Sequence, residues 1–139
     1  MKTHFQLSEK LISVDEFRSL LQCKDCGAEA IFLGVVRHTN QSKTVTQLEF
    51  EAYPPMVYKE LHAISKDLTG LFDIKSIALH HRTGIVAAGE MAVMAGVSSP
   101  HRNDSFAALS ELMNRLKKSV PIWKKEVYSD GYYWVSSTP

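Results

Sequence analysis

Cysteine is nearly missing from this chain: two in 139 residues, at positions 23 and 26. That excludes a disulfide framework, and a zinc ribbon would need a second ligand pair that the sequence does not contain. Cys23-x-x-Cys26 runs into Gly27 after a helical stretch instead of opening a helix after a strand. Two free thiols near a helix end are therefore expected, not a redox motif. Long hydrophobic runs are also absent. No segment approaches the ~20 apolar residues of a membrane helix, and Met1-Lys2-Thr3-His4-Phe5-Gln6 lacks the apolar stretch of a signal peptide. Charge of one sign is not in excess, since 16 Lys+Arg against 15 Asp+Glu leaves +1. This argues against a nucleic-acid coat, so any basic site has to be local. No glycine-rich phosphate loop, His-Glu-x-x-His or acidic metal cluster appears, so neither a metal nor a cofactor is expected. What is left is a cytoplasmic, soluble protein with no membrane partner, folded as a single domain over residues 1–139.

Periodicity divides the chain into alternating strands and helices. His4 to Ser8 reads as a short strand, and Ser13 as the cap of a helix burying Val14, Phe17, Leu20 and Leu21, with Glu16 at the capping-box position. Ala28 to Arg37 and Thr44 to Tyr53 are β-branched and aromatic runs flanking the polar loop 38–43, which predicts a hairpin with a mobile tip. Pro54-Pro55 opens an amphipathic helix with Val57, Leu61, Ile64, Leu68 and Leu71 in one stripe. Ile74 to His81 and Glu90 to Ser98 read as strands joined by a turn region with Gly84 and Gly89. Ser99-Pro100 is expected to cap and start a third helix with Phe106, Leu109, Met113, Leu116 and Val120 inward. After Pro121, Ile122 to Tyr128 returns as a strand, and Asp130-Gly131 turns it into Tyr132 to Val135. The sum is an α+β fold with helices on a mostly antiparallel sheet.

The densest local charge lies at Lys117-Lys118 and Lys124-Lys125, around Pro121, Ile122 and Trp123. At 100° per residue Lys117 falls about 40° from Met113, on the rim of the apolar stripe, and Lys118 about 140° away. Lys117 is thus expected to be partly desolvated, a setting that lets a lysine act as nucleophile or acid/base. Strand alternation puts Lys124 and Lys125 on opposite faces without saying which one turns toward Lys117. A solvated basic turn with snorkelling stems is the blander reading of the same cluster, and on these residues alone the stronger one. His101 and Arg102 stand in a first helical turn, where basic residues oppose the helix dipole unless an anion sits in front of them. Arg37, at a strand end beside a loop, is placed to fork onto a carboxylate or phosphate. His80 and His81 alternate across a strand and do not make a metal pair. The residues alone therefore point to an anionic small molecule and one or two working lysines.

Five blocks, Gly34-Val35-Val36-Arg37, Leu48-Glu49-Phe50-Glu51-Ala52-Tyr53, His81-Arg82-Thr83-Gly84, Val97-Ser98-Ser99-Pro100-His101-Arg102 and Pro121-Ile122-Trp123-Lys124-Lys125-Glu126, occur in an order that resembles the large, catalytic subunits of molybdopterin synthases. The resemblance spans about Ala28 to Trp134. It implies an α/β-hammerhead fold with a small β subdomain, and a homodimer that becomes a heterotetramer with two small ubiquitin-like sulfur carriers. It also implies sulfur transfer from the carrier's C-terminal Gly-Gly thiocarboxylate to cyclic pyranopterin monophosphate (precursor Z). By resemblance, Lys117 and Lys124 are catalytic, and both also bind substrate together with Arg37, His101 and Arg102. Whether His101 and Arg102 act within one chain or across the dimer stays open. Lys118 and Lys125 are expected to supply supporting charge. Two other readings fit the residues: a non-catalytic module for a Gly-Gly tail, and a phosphate-binding enzyme with a Schiff-base lysine.

Overall fold

The computed structural model describes residues 1–135. In chain order the elements are β1 (Lys2–Ser8), α1 (Val14–Ser19), β2 (Ala28–Val35), β3 (Thr39–Asn40), β4 (Lys43–Ala52), α2 (Pro54–Leu71), β5 (Ser76–Arg82), β6 (Gly84–Ala87), β7 (Met91–Ser99), α3 (Arg102–Ser119), β8 (Ile122–Tyr128) and β9 (Gly131–Val135). One sheet runs β1-β5-β7-β2, with β1 parallel to β5 and the other pairs antiparallel. The second runs β3-β4-β8-β9, with β6 on the other side of β4. The α+β fold on mostly antiparallel sheets is therefore present.

Both faces of the four-stranded sheet are covered, which explains why β5 and β7 are buried almost throughout. On one face Ala78 and Met94 pack under Phe17 and Leu21 of the α1 region. On the other, Ile77, Leu79, Val93 and Val97 meet α2, α3 and the second sheet around Leu61, Leu68, Leu112 and Phe50. Gly96 lets α1 come close, because a Cβ there would lie 2.5 Å from Leu21 Cδ1 and 3.0 Å from Phe17 Cε2. Ser13 caps α1 as expected, its Oγ accepting from the Glu16 N–H at 3.1 Å.

Several expectations are corrected. The runs around residues 28–37 and 44–53 do not pair with each other: β2 pairs with β7, and β4 crosses into the second sheet. A register shift at Gly34/Val35 and the Val36 N–H bond to the Glu90 carbonyl divert the chain, so Arg37 lies two residues beyond the strand it was expected to end. The polar loop itself holds a tight hairpin, with Gln41 and Ser42 at φ of 50° and 70°. It has none of the Asn-Gly or Asp-Gly chemistry that would have announced it. The turn region at Gly84–Gly89 likewise contains β6.

The third helix starts at Arg102 with His101 as its N-cap and no side-chain cap bond. Ser99 stays extended because it is paired with Ala28 and precedes Pro100, and its Oγ donates to the His101 carbonyl at 2.6 Å. The buried stripe of α3 is Ser105, Ala108, Leu112 and Leu116, while Phe106 is 64% exposed. Small residues set that phase because they let the helix lie close on β7 and β2, and a count of large apolar residues overlooks them. In α2 the stripe holds except at Leu71, which ends the helix in solvent.

Candidate active site

Between α3, the start of β8 and the open end of the four-stranded sheet lies a cleft of about 330 Å³. Its walls are mainly apolar, with Val36, Phe50, Val93, Leu116, Val120 and Ile122 among them. Among the described residues the polar side chains lining it are Lys117, Lys124 and His81. An apolar hollow with a few converging polar groups is the usual form of a small-molecule site.

The two lysines reach it by different routes. Lys117 is in the last turn of α3, where a cation complements the helix dipole. Met113 and Leu116 line the cleft beside it, so this flank of the helix faces the cavity as the angular argument required. Lys117 itself is exposed at the mouth, not partly desolvated as expected. Val120 then closes the helix through an N–H bond to the Leu116 carbonyl, and the chain re-enters as β8 with Lys124 opposite Phe50. Among the described residues no carboxylate pairs with Lys117 or Lys124.

Strand alternation, ambiguous in the sequence, is resolved here. Lys124 lines the cleft, whereas Lys125 bonds to Glu49 at 2.8 Å and lies over the Tyr132 and Trp134 rings at 4.9 and 5.4 Å. The hydrogen bond to Glu49 holds the Lys125 ammonium above its ordinary range. Its charge is answered by that carboxylate, so it adds little to the cleft. Lys118 is exposed and does not line the cavity.

The other expected site residues are not gathered in the cleft of a single chain. Arg37 is exposed, next to Val36 of the wall. It stands at the base of the β3–β4 hairpin, which is tied down by Asn40 Nδ2 donating to Glu126 Oε2 at 2.9 Å. Glu126 is buried and also accepts from the Tyr128 hydroxyl. His101 and Arg102 are exposed at the far end of α3, fifteen residues or ~22 Å of helix before Lys117.

One cleft residue escaped the sequence. His81 is 7% exposed and packs edge-on against Phe50, ring centroids 4.9 Å apart. Its Nδ1 lies 2.7 Å from the Arg82 carbonyl, and burial pushes its pKa down. Nothing in a His-His pair on a strand tells which ring meets a cavity. Among the described residues no group of three His, Cys, Asp or Glu is arranged to hold a metal. Cys23 and Cys26 are free, half-buried thiols, and burial raises the Cys26 pKa.

Residues 7–119 match the family model described as MoaE protein. The chain is 42% identical over 134 residues to the molybdopterin synthase catalytic subunit of Taeniopygia guttata, covering 96% of this chain and 86% of that one. The crystal structure of molybdopterin synthase from Staphylococcus aureus superposes with a TM-score of 0.89 at 33% identity, covering 95% of this chain and 96% of the other. The fold also recurs, at 16% identity and a TM-score of 0.75, in a complex of subunits 1 and 2 of molybdopterin-converting factor from Helicobacter pylori 26695; 96% of this chain and 89% of that one are covered.

Proposed function

The chain belongs to the MoaE protein family, and from that premise we propose that it is the catalytic subunit of a molybdopterin synthase, a sulfurtransferase of molybdenum cofactor biosynthesis. It takes sulfur from the thiocarboxylated C-terminus of a small carrier subunit and installs the dithiolene on precursor Z, in the cytoplasm. The observation that carries the reading is the meeting of Lys117 and Lys124, from a helix end and a strand, on one apolar cleft, with no carboxylate partner among the described residues.

The chemistry asks for such a place. The carrier's thiocarboxylate and the cyclic phosphate are both anions, and ammonium groups at an apolar cavity stabilise negative charge more strongly than they do in bulk water. The thiocarboxylate sulfur attacks the substrate side chain, and water then releases the carrier as a carboxylate. Lys117 and Lys124 hold the oxyanions that develop and move protons as the cyclic phosphate opens. Each carrier brings one sulfur, so two must visit in turn.

His101 and Arg102, with Arg37, hold the substrate's phosphate and pterin. Their distance from Lys117 along α3 favours delivery from a second copy of the chain. A homodimer is also favoured by β2, an edge strand that exposes Leu33 and Val35. With two carriers the assembly is a heterotetramer.

Wild-type protein, thiocarboxylated carrier and precursor Z should yield dithiolene product. No product, or undiminished product from Lys117→Ala, would sink the reading. Mixing Lys117→Ala with Arg102→Ala protein tests the second copy. If Arg102 acts across the dimer, a randomised mixture regains about a quarter of the wild-type sites. If it acts within its own chain, nothing is regained.

A further inference from the structure

We infer that His81 is the proton acceptor of the cleft, the base that takes a proton from the water releasing the carrier. The inference rests on the function proposed above and adds a residue to it.

Three observations carry it. The ring sits in the cleft wall beside Phe50 and Val93, on the side of the sheet that Lys117 and Lys124 overlook. Its tautomer is fixed by geometry: a carbonyl only accepts, so Nδ1, 2.7 Å from the Arg82 oxygen, must carry the proton. Nε2 is then a bare lone pair. Among the described residues Nε2 has no hydrogen-bond partner, yet it is not among the sealed and unpartnered buried atoms, which are Ser76 Oγ, His80 Nε2 and Ser98 Oγ. In a residue that is buried apart from its lining of the cleft, that leaves Nε2 reachable from the cavity.

The need for such a group follows from the rest of the lining. An ammonium donates and cannot accept, and the other lining side chains are hydrocarbon or, at Met113, a thioether. Among the described lining side chains His81 is the single nitrogen or oxygen acceptor. The groups around it leave it neutral. β4 presents Phe50, β7 Val93 and β1 Leu7; the charged groups are Lys117 of α3, Lys124 of β8 and the neighbouring Arg82, all cationic. Among the described residues no carboxylate is bonded to the ring to favour its protonated form.

The step balances without an oxidant or reductant. Once the carrier is joined to the substrate as a thioester, Nε2 takes one proton from water as the oxygen adds to the glycyl carbonyl carbon. The resulting oxyanion is held by the lysine ammonium groups. The C–S bond then breaks, the carrier leaves as a carboxylic acid that ionises to solvent, and the sulfur stays on the substrate as a thiolate. The His81 proton passes to that thiolate.

The variant that separates this role from packing is His81→Asn, whose amide N–H can still donate to the Arg82 carbonyl while the Nε2 base is gone. In single turnover with limiting thiocarboxylated carrier, His81→Asn should still attach the carrier to precursor Z. Carrier release should slow by about 10²-fold or more, and intact-mass analysis should show the carrier–pterin adduct accumulating. Release at the wild-type rate with no adduct overturns the inference and leaves the proposed function standing. A wild-type protein that makes no product overturns both. If His81→Asn does not fold, nitrogen-15 spectra of the wild-type ring decide instead. An unprotonated Nε2 whose resonance moves on adding precursor Z is expected; a protonated Nε2, or one that does not move, refutes the role.

Discussion

His80 and His81 are neighbours on one strand, both buried and both pushed toward the neutral form, and they sit in opposite kinds of place. His80 faces α1, against Phe17 at 5.3 Å and His4 at 5.0 Å, with its Nε2 sealed and unpartnered. His81 faces the cleft. The two faces of the sheet differ in the same way: one is a closed core under Phe17 and Leu21, the other a core left open at one end and rimmed by two lysines. Burial is the chief cause that keeps both rings neutral. Whether a neutral ring does chemistry depends on access.

The sharpest way to break this contrast is to remove a rim cation. Lys124→Ala should lower dithiolene formation by about 10²–10³-fold and leave the melting temperature nearly unchanged, since among the described residues the side chain has no ion-pair partner to strand. A variant that loses activity only in proportion to its folded fraction would mean that the cleft face is as passive as the other.

Much of this was legible beforehand. The helix phase put Lys117 on the rim of the apolar stripe and Lys118 away from it, and Lys117 does line the cleft, though exposed and not partly desolvated as expected. The ranges of α2 and β8 were legible too, α2 from its paired prolines and apolar stripe, β8 from the proline that stops α3 just before it. Pairing was not. Two runs separated by a polar loop predict a hairpin, and only the tertiary partners of β2 and β4 show that the loop joins different sheets. Distance was legible: a helix begun near Ser99-Pro100 and ended by Pro121 already sets Arg102 and Lys117 at its opposite ends.

A second test compares two glycines. At Gly96, on the closed face, an alanine Cβ meets Leu21 and Phe17, both fully buried and unable to yield. Gly96→Ala should destabilise by about 1–3 kcal/mol. At Gly34 the Cβ would meet Val93 Cγ1 at 2.5 Å, and Val93 and Phe32 line the cleft, so they have space to move into. Gly34→Ala should therefore be milder in urea unfolding and harsher on KM. Equal stability losses at both positions would show that the cleft end is packed as tightly as the α1 side.

Acid provides a third. His80 titrates near 4 in the folded chain and near 6.5 when free, chiefly because burial disfavours its charged form and His4 adds repulsion. Between those values the unfolded state binds more protons, so stability is complete above about pH 6.5 and drains as pH falls toward 4. His80 alone removes about 2 kcal/mol by pH 5, and His81, shifted the same way, steepens the slope. His80→Phe should flatten the fall of melting temperature over this range. An unchanged slope would mean that His80 takes its proton as easily in the fold as outside it.

The smallest effect is expected one residue from the largest. Lys125 shares with Lys124 its charge, its strand and its place in the basic cluster, yet its ammonium is spent on Glu49 and on the Tyr132 and Trp134 rings. The pair is half-buried at the sheet surface, outside the cleft, and both partners stay open enough to water for the ion pair to be screened and contribute little. Lys125→Ala should keep product formation within about twofold of wild type, in line with the modest worth of screened pairs. If the cluster works instead as a diffuse basic patch that attracts anions, Lys125→Ala and Lys124→Ala will weaken the reaction alike. Both losses will then shrink together as salt is raised. Distinct losses that persist at high salt assign the chemistry to the single face that strand alternation turns inward.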